Sequence, residues 1–376
     1  MKAQQYVPIL FLRGVKSFFT RIKDIGALFS SDLINEASCF PELPRKNKLR
    51  RTCQLLWYLL RYGEVLWQYN LYGLDVKPFK AMKEYIGNKE LLWREYKYNV
   101  LKAKSDYTNI LIDKRLFYLF LSANGFKTPA VYAFSKDSRI YPFGWRMTKE
   151  CVEEVISIPD FLSMKGRYFC KPYDGICGRG IFILEINDEI KINGEIMELN
   201  AAVEYVSDAF KGNYIIQEVL EQHPYMSSLH ENSVNTVRII TGRNKTSKQV
   251  EFVTGFLRIG GGKSCTDNMA GGGMAVGINF ETGCLNHFGY LFNDEKSQRI
   301  EEHPVLKIPF ETIQIPHLQQ AIQTCIQLHE RLETLQLVGW DVAITKDSVS
   351  FIEGNDNPGL SQSNHGPMRS VINRYI

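Results

Sequence analysis

The most chemically suggestive stretch of the chain is Gly339–Pro358, which reads GWDVAITKDSVSFIEGNDNP. It predicts two short strands, Trp340–Thr345 and Val349–Asn355, joined by a turn at Lys346-Asp347-Ser348. Successive side chains of a strand point to opposite faces of the sheet. The predicted hairpin therefore determines which of its polar side chains face one another.

Three oxygen-bearing side chains of this hairpin could share one site. If the hairpin is symmetric about Asp347, Asp341 lies directly across from Glu353, and facing like charges destabilise a strand pair. A cation between the two acids would offset that repulsion. Asn355 is two residues beyond Glu353, so it projects from the same face. Such hard oxygen ligands suit Mg²⁺ held jointly with phosphates. The hairpin therefore predicts phosphate chemistry, and the alternative is a polar surface hairpin.

A glycine-containing loop, Lys171–Gly180 (KPYDGICGRG), is the second candidate site. Its glycines, Gly175, Gly178 and Gly180, would let several backbone N–H groups approach phosphate oxygens. Lys171 and Arg179 would add positive charge. The loop is neither a P-loop nor a dinucleotide-binding fingerprint, because GxxxxGK[ST] and a strand-to-helix GxGxxG are both absent. The alternative is an ordinary glycine-containing hairpin.

Three further segments carry polar residues in suggestive places. Tyr214–Glu221 is an apolar strand that ends in polar residues, and its edge could contact a purine and a ribose. Arg238 lies in the middle of the apolar strand Val234–Thr241, and a buried guanidinium needs an anionic partner, either a structural acid or a phosphoryl group. Between Arg258 and Asn268 runs a glycine-rich polar loop, which is typical of a functional segment.

Around these sites the sequence predicts alternating helices and strands from about residue 106. The predicted helices are Asp113–Asn124, Lys149–Ile156, Met197–Ser207 and Pro316–Leu335. The predicted strands are Ala130–Phe134, Arg167–Lys171, Ile181–Ile186, Tyr214–Leu220, Val234–Thr241, Gln249–Ile259 and Met274–Phe280.

Residues 1–105 differ in composition from the rest of the chain. They are rich in Leu, aromatic residues, Lys and Arg, and the stretch CQLLWYLLRYGEVLWQY has apolar residues at helical spacing. We expect a helical region packed on the main body. The alternative is a basic, aromatic surface that contacts a membrane face or an anionic partner.

Composition limits the class of protein. The 376 residues, 44% apolar and 23% charged, are typical of a soluble globular protein of two or three domains, and a net charge of +4 neither demands nor excludes an anionic partner. The eight cysteines form no CxxC pair and no zinc-like spacing, which fits a reducing cytosol. No secretory signal and no apolar run of membrane-spanning length is apparent. We expect a cytoplasmic protein without a transmembrane segment or nucleic-acid partner.

Taken in order, these motifs resemble the ATP-grasp superfamily, and within it the branch of sugar-transfer-associated ATP-grasp proteins. The resemblance covers about residues 106–366. It is carried by NTVRI at Asn235–Ile239, by DN followed by GGG at Asp267–Gly273, and by GWDVA with IEGN within Gly339–Asn355. Each motif alone is common, and their order and spacing are specific.

The resemblance implies an α+β ATP-grasp fold, in which two α+β subdomains clasp ATP, with an added N-terminal helical region. We expect a helical region at 1–105, a first subdomain with the glycine loop at 106–210, and a carboxyl-terminal subdomain with the metal site at 211–376. Residues 1–105 do not resemble the standard first subdomain of the superfamily.

The resemblance also implies roles for single residues. The implied ATP-binding residues are Lys114, Lys171, Gly175, Gly178, Arg179, Gly180, Gln217, Glu218, Val219, Leu220, Glu221 and Asn268. The implied metal ligands are Asp341, Glu353 and Asn355. The implied catalytic residues are Arg238, Lys171 and Arg258, which would compensate charge during phosphoryl transfer.

The implied function is an ATP- and Mg²⁺-dependent, ADP-forming carboxylate–amine ligase. It would activate a carboxylate as an acyl phosphate and join it to an amine, with an amino acid and a uronic acid as substrates in surface polysaccharide synthesis. The carboxylate and amine could be small molecules or sugar-linked, and residues 1–105 could contact the inner face of the membrane. The alternatives are a phosphotransferase acting on a sugar or small molecule, and a nucleotide-binding scaffold without catalysis.

Overall fold

The computed structural model describes residues 23–30, 32–98, 107–143, 155–173, 180–262, 264–268, 272–293 and 296–376. The helices are α1 (23–30), α2 (Lys48–Tyr62), α3 (Asn88–Tyr96), α4 (Thr108–Ile112), α5 (Lys114–Ala123), α6 (Ile158–Phe161), α7 (Leu199–Ala209), α8 (Pro224–Ser227), α9 (Leu318–Glu330), α10 (Gln362–His365) and α11 (Arg369–Ile372). The strands are β1 (Val131–Lys136), β2 (Arg139–Pro142), β3 (Gly166–Pro172), β4 (Phe182–Ile186), β5 (Ile190–Ile192), β6 (Glu195–Met197), β7 (Tyr214–Glu218), β8 (Thr236–Arg243), β9 (Val250–Ile259), β10 (Met274–Ile278), β11 (Leu285–Asn293), β12 (Lys296–Ile300), β13 (Leu337–Ile344) and β14 (Val349–Asn355).

The first sheet is antiparallel and has the order β2-β1-β7-β3-β4-β5-β6. Its core contains Leu184 and Ile216 from the strands, which pack with Val206 and Phe210 at the end of α7. The expected division at 210/211 precedes β7, which pairs with β1 and β3 in this sheet. By sheet membership, the chain therefore passes to the second sheet only after Glu218.

The second sheet, with the order β12-β11-β10-β9-β8-β13-β14, has two different faces. One face carries Ile239 and Trp340, which pack with α9 and also with α4 and α5. The other face carries Ile240 and Leu337, which pack with carboxyl-terminal residues such as Ile372. Because alternate residues share a face, Arg238 and Asp341 extend this second face along β8 and β13.

The amino-terminal region has its own core, built from buried side chains such as Leu55, Tyr58 and Tyr69. The predicted helix through CQLLWYLLRYGEVLWQY ends at Tyr62, because Gly63 adopts a left-handed backbone (φ 79°) and its N–H closes the last turn on the Leu59 carbonyl. The described residues thus confirm a helical amino-terminal region.

Two arginines of the main body hold this region in place. Arg369 donates to the carbonyls of Lys83 at 2.7 Å and Tyr85 at 2.8 Å, and it pairs with Glu90. Arg299 lies 4.2 Å from the ring centroids of both Phe40 and Phe288, so one guanidinium joins the two regions. The packing of the amino-terminal region on the main body is therefore specific.

Most predicted elements agree with the structure, with two kinds of difference. The helix expected at Lys149–Ile156 lies mainly outside the described residues, and Ile156 instead forms a bridge to Ile140. The strands β2, β5, β6, β11 and β12 were not expected.

None of the described helices is long and apolar enough to cross a membrane.

Candidate active site

A cavity of about 890 Å³ is lined by residues from both sheets, from α5 and from the amino-terminal region. Many of the site residues predicted from the sequence line it. They are Lys114, Lys171, Gln217, Glu218, Val219, Leu220, Glu221, Arg238, Arg258, Asn268, Asp341, Glu353 and Asn355. Gly180 is not in the lining, and its carbonyl accepts a hydrogen bond from the Tyr214 hydroxyl at 2.8 Å. Gly175, Gly178 and Arg179 lie outside the described residues.

The predicted carboxyl-terminal hairpin is confirmed. Strands β13 and β14 pair with Asp341 opposite Glu353 and with Gly339 opposite Asn355. Asp341 also pairs with Arg238 on the neighbouring strand β8. The hairpin therefore places the facing acids beside a guanidinium.

Two arginines neutralise Asp341, the acid that lies opposite Glu353. Asp341 is bound by both Nε and Nη2 of Arg238, the latter at 2.8 Å, and by Nη1 of Arg258 at 2.8 Å. Burial alone would raise the pKa of Asp341, but the two guanidiniums outweigh it and lower that pKa. The facing acids alone are therefore no evidence for a metal.

The charge network continues to a residue that the sequence did not identify as functional. Arg258 Nη2 contacts Asp267 Oδ1 at 2.9 Å, and Asp267 Oδ2 accepts the Thr236 N–H at 3.0 Å and the Thr236 hydroxyl. Burial raises the pKa of Asp267, and Arg258 only partly offsets that rise. In the sequence, the feature that could have identified Asp267 as functional was its position beside Asn268, between two glycine clusters.

Two lysines, Lys114 and Lys171, interact electrostatically with Glu353. Lys114 begins α5, whose first turn is capped by the Asp113 side chain, and its Nζ lies 3.7 Å from Glu353 Oε1. Lys171 lies near the end of β3 and is 7% exposed. Burial lowers the pKa of Lys171 to about 8, with Glu353 opposing the shift and Lys114 adding to it. An anion bound beside these ammonium groups would favour the protonated form of Lys171.

The polar end of β7 is anchored to β1. The Glu218 N–H donates to the Ala130 carbonyl at 2.8 Å, and the Glu218 carboxylate accepts the Ala130 N–H at 3.1 Å. Gln217 is 5% exposed, yet both residues line the cavity. Residues 219–221 follow the end of this strand and continue the cavity wall.

The sequence of this two-sheet protein matches one family over most of its length. The model for sugar-transfer-associated ATP-grasp proteins matches residues 94–374. The chain belongs to this family. The α+β ATP-grasp fold with additional N-terminal helices, expected from the sequence motifs, is thereby confirmed.

Solved structures of several ligases and synthetases resemble the chain only distantly. D-alanine–D-alanine ligase from Bacillus anthracis is 13% identical, with a TM-score of 0.35, and the match covers 72% of this chain and 64% of that one. L-amino acid ligase from Bacillus licheniformis is 11% identical, with a TM-score of 0.36 and coverage of 70% and 45%. N5-carboxyaminoimidazole synthetase from Staphylococcus aureus, complexed with ADP, is 11% identical, with a TM-score of 0.37 and coverage of 71% and 52%.

In each of these pairs the match spans less than two thirds of the other protein. No curated protein matches this chain. The family assignment therefore rests on the match at residues 94–374.

In this ATP-grasp chain, the donor set at the hairpin fits a hard divalent cation. Glu353 and Asn355 share a face of β14 and supply carboxylate and amide oxygens. Among the residues that the structure describes, the ion pair of Glu353 is the long contact to Lys114, whereas both oxygens of Asp341 are bound by arginines. Within the described residues, no group of three or more His, Cys, Asp or Glu side chains could hold a metal ion. A metal bound here would thus use Glu353 and Asn355 first.

Proposed function

We propose that this ATP-grasp protein is an ATP- and Mg²⁺-dependent, ADP-forming carboxylate–amine ligase. The observation that carries the proposal is the convergence, in one cavity, of Lys114, Lys171, Arg238 and Arg258 with Glu353 and Asn355. Cationic side chains beside hard oxygen ligands suit a metal–triphosphate complex better than a neutral ligand. Membership of the ATP-grasp family supports the same conclusion.

The proposed role of each residue follows from its position in the cavity. Lys114 and Lys171 hold the phosphates, and Gln217 to Glu221 hold the nucleoside along the end of β7. Glu353 and Asn355 would hold Mg²⁺, which supplies neutralisation of charge on the phosphate oxygens when bound. Asn268 lines the same cavity and contacts substrate or phosphate.

The two arginines, Arg238 and Arg258, stabilise charge that develops during transfer. Asp341 binds both guanidiniums and Asp267 binds the second, so their orientation is set before the substrate arrives. Preorganised charge of this kind contributes most of the catalysis expected in phosphoryl transfer. No side chain needs to act as a nucleophile.

The proposed reaction has two steps. A carboxylate oxygen of the first substrate bonds to the γ-phosphorus as the bond from that phosphorus to ADP breaks, which gives an acyl phosphate and ADP. The amine of the second substrate then attacks the acyl carbon, phosphate leaves, and the amine gives up a proton. We propose a uronic acid and an amino acid as the two partners, free or sugar-linked, in surface polysaccharide synthesis.

The setting of the proposed reaction is the cytoplasm, at the inner face of the membrane. Exposed apolar side chains of the amino-terminal region support such a contact, among them Leu60 at 67% and Trp93 at 55% exposure. The basic character of this region would add attraction to anionic lipids.

The proposal is tested by measuring ADP release with a panel of uronic acids and amino acids, followed by mass spectrometry of the products. We expect ADP release that requires both substrates, and a product containing an amide. A stable phosphoester would identify a phosphotransferase instead. Nucleotide binding without ADP release for any pair would identify a scaffold.

Lys171 makes nucleotide affinity dependent on pH. Its pKa of about 8 means that it loses its proton as the pH rises through that value, whereas a terminal phosphate, with a second pKa of about 6, is already almost fully ionised above about pH 7. We expect the affinity for ADP to be constant between pH 7 and pH 8 and to fall by about tenfold for each further unit. Calorimetric titration from pH 7 to pH 9.5 measures this change.

The variant Lys171→Met should bind ADP more weakly and lack the decline above pH 8. The matched control Lys165→Met removes a lysine that precedes β3 and pairs with Asp188 at the surface, so it should keep the wild-type profile. Identical profiles for Lys171→Met and the wild type would contradict the assignment.

A further inference from the structure

The amino-terminal region forms one wall of the cavity. Gln68, Leu71, Tyr72 and Asn88 line it together with residues 359–363, which follow β14. These four residues precede the segment that matches the family, which begins at residue 94. These four residues of the wall thus lie outside the segment that the family model matches.

A buried glutamine fixes the wall in position. The Gln362 Oε1 accepts the N–H groups of Ile86 at 3.1 Å and Met368 at 3.2 Å. Its Nε2 donates to the Ile86 carbonyl at 2.8 Å and to the Tyr72 hydroxyl at 3.3 Å. Gln362 is 3% exposed, so this amide is satisfied away from solvent. The wall is therefore preformed.

The wall is electrically neutral. The residues from the amino-terminal region and from 359–363 that line the cavity carry amides, hydroxyls or apolar groups, and none is charged. Burial raises the pKa of Tyr72, so its hydroxyl stays protonated. The amino-terminal end of α3 is no anion site either, because Glu64 accepts the N–H groups of Lys89 and Glu90, each at 2.9 Å.

Neutral walls select against charged ligands. A carboxylate, ammonium or diphosphate placed here would lose water without gaining a counter-ion, which is unfavourable. Hydroxyl groups, in contrast, can exchange hydrogen bonds with the amides of Gln68 and Asn88, while a C–H face packs on Leu71. The charged part of a substrate instead belongs beside Arg238 and Lys171, which line the same cavity.

We propose that Gln68, Leu71, Tyr72 and Asn88 form a subsite for the uncharged, polyhydroxylated body of a substrate whose reacting group lies at the phosphate end. The inference rests on the proposed function for the direction of the substrate in the cavity. It excludes a free amino acid and a nucleoside diphosphate from this wall.

The test measures binding of neutral methyl glycosides by saturation-transfer NMR, without nucleotide. The panel consists of common hexosides, 6-deoxyhexosides and 2-acetamido hexosides, with glycine, L-alanine and uridine diphosphate as charged probes. We expect at least one glycoside to bind, and the charged probes to give no signal that depends on the wall. The variants Gln68→Ala and Asn88→Trp should weaken glycoside binding at least tenfold, and ADP affinity should change less than twofold.

The matched control is Leu92→Trp, which adds the same bulk on α3 at a residue that is 52% exposed and does not line the cavity. Glycoside binding that survives both wall variants, binding of the charged probes at the wall, or the absence of any glycoside signal would overturn the inference. If Asn88→Trp fails to fold, Gln68→Ala decides. If glycosides bind and the wild type does not bind ADP, the ligase proposal fails and the subsite stands.

Discussion

Replacing Glu353 with glutamine should lower ATP turnover by about a hundredfold to a thousandfold while leaving the folded protein nearly as stable as the wild type. The loss follows from removing the carboxylate proposed as the principal metal ligand. Stability should hardly change, because the Glu353 side chain is 38% exposed and its ion pair with Lys114 is long, at 3.7 Å. Steady-state ADP release, titrated with Mg²⁺, and denaturant unfolding measure the two effects.

Glu251→Gln is the matched control for this variant. Glu251 also lies on the second sheet, is 30% exposed in its side chain, and pairs with Arg374 at 2.7 Å outside the cavity. It should retain full turnover and the wild-type requirement for Mg²⁺. Glu353→Gln would argue against the metal assignment if it kept full turnover at the same Mg²⁺ concentration.

The carboxyl-terminal hairpin was predictable because its signals are local. The turn at residues 346–348 sets the first pairs, from Ile344–Val349 to Val342–Phe351. An irregularity between Asp341 and Val342 then shifts the register by one residue, so that Asp341 lies opposite Glu353, and alternation keeps Asn355 on the same face as Glu353. The same local reasoning identified Arg238 as a mid-strand guanidinium in need of an acid. Its partner, Asp341, lies directly across on β13.

The arginine network was not predictable because it depends on the strand order. Arg258 reaches Asp341 only because β9, β8 and β13 are neighbours in the second sheet, although the two residues are 83 positions apart in the sequence. Alternation assigns a residue to a face but does not say which strand lies beside it. The sequence alone therefore could not place Arg258 beside Asp341.

The missed strands have a related explanation. Strands β5 and β6 are three residues long, too short for a periodic pattern to be recognised. The strand β11, LNHFGYLFN, contains polar residues and a glycine, and pairing with β10 and β12 determines its conformation. Likewise, the composition of residues 1–105 indicated helices, but their contribution to the cavity depends on Gln362, far away in the sequence.

Replacing Asp341 with asparagine should destabilise the protein by about 3–5 kcal/mol, in contrast to the Glu353 variant. Asp341 is 4% exposed in its side chain, and its two oxygens neutralise Arg238 and Arg258. An amide would carry no charge, and its NH₂ group would face guanidinium donors, so two buried cations would lose their shared partner. Denaturant unfolding at neutral pH measures the loss.

The matched control is Asp188→Asn, which makes the same replacement in a surface pair with Lys165 and should cost less than about 1 kcal/mol. Turnover by Asp341→Asn should also fall, because Arg238 and Arg258 would lose the orientation needed at the transferring phosphoryl group. If turnover fell while stability was unchanged, the two arginines would not need the charge of Asp341 to hold their positions in the fold. That result would instead assign Asp341 to the metal site.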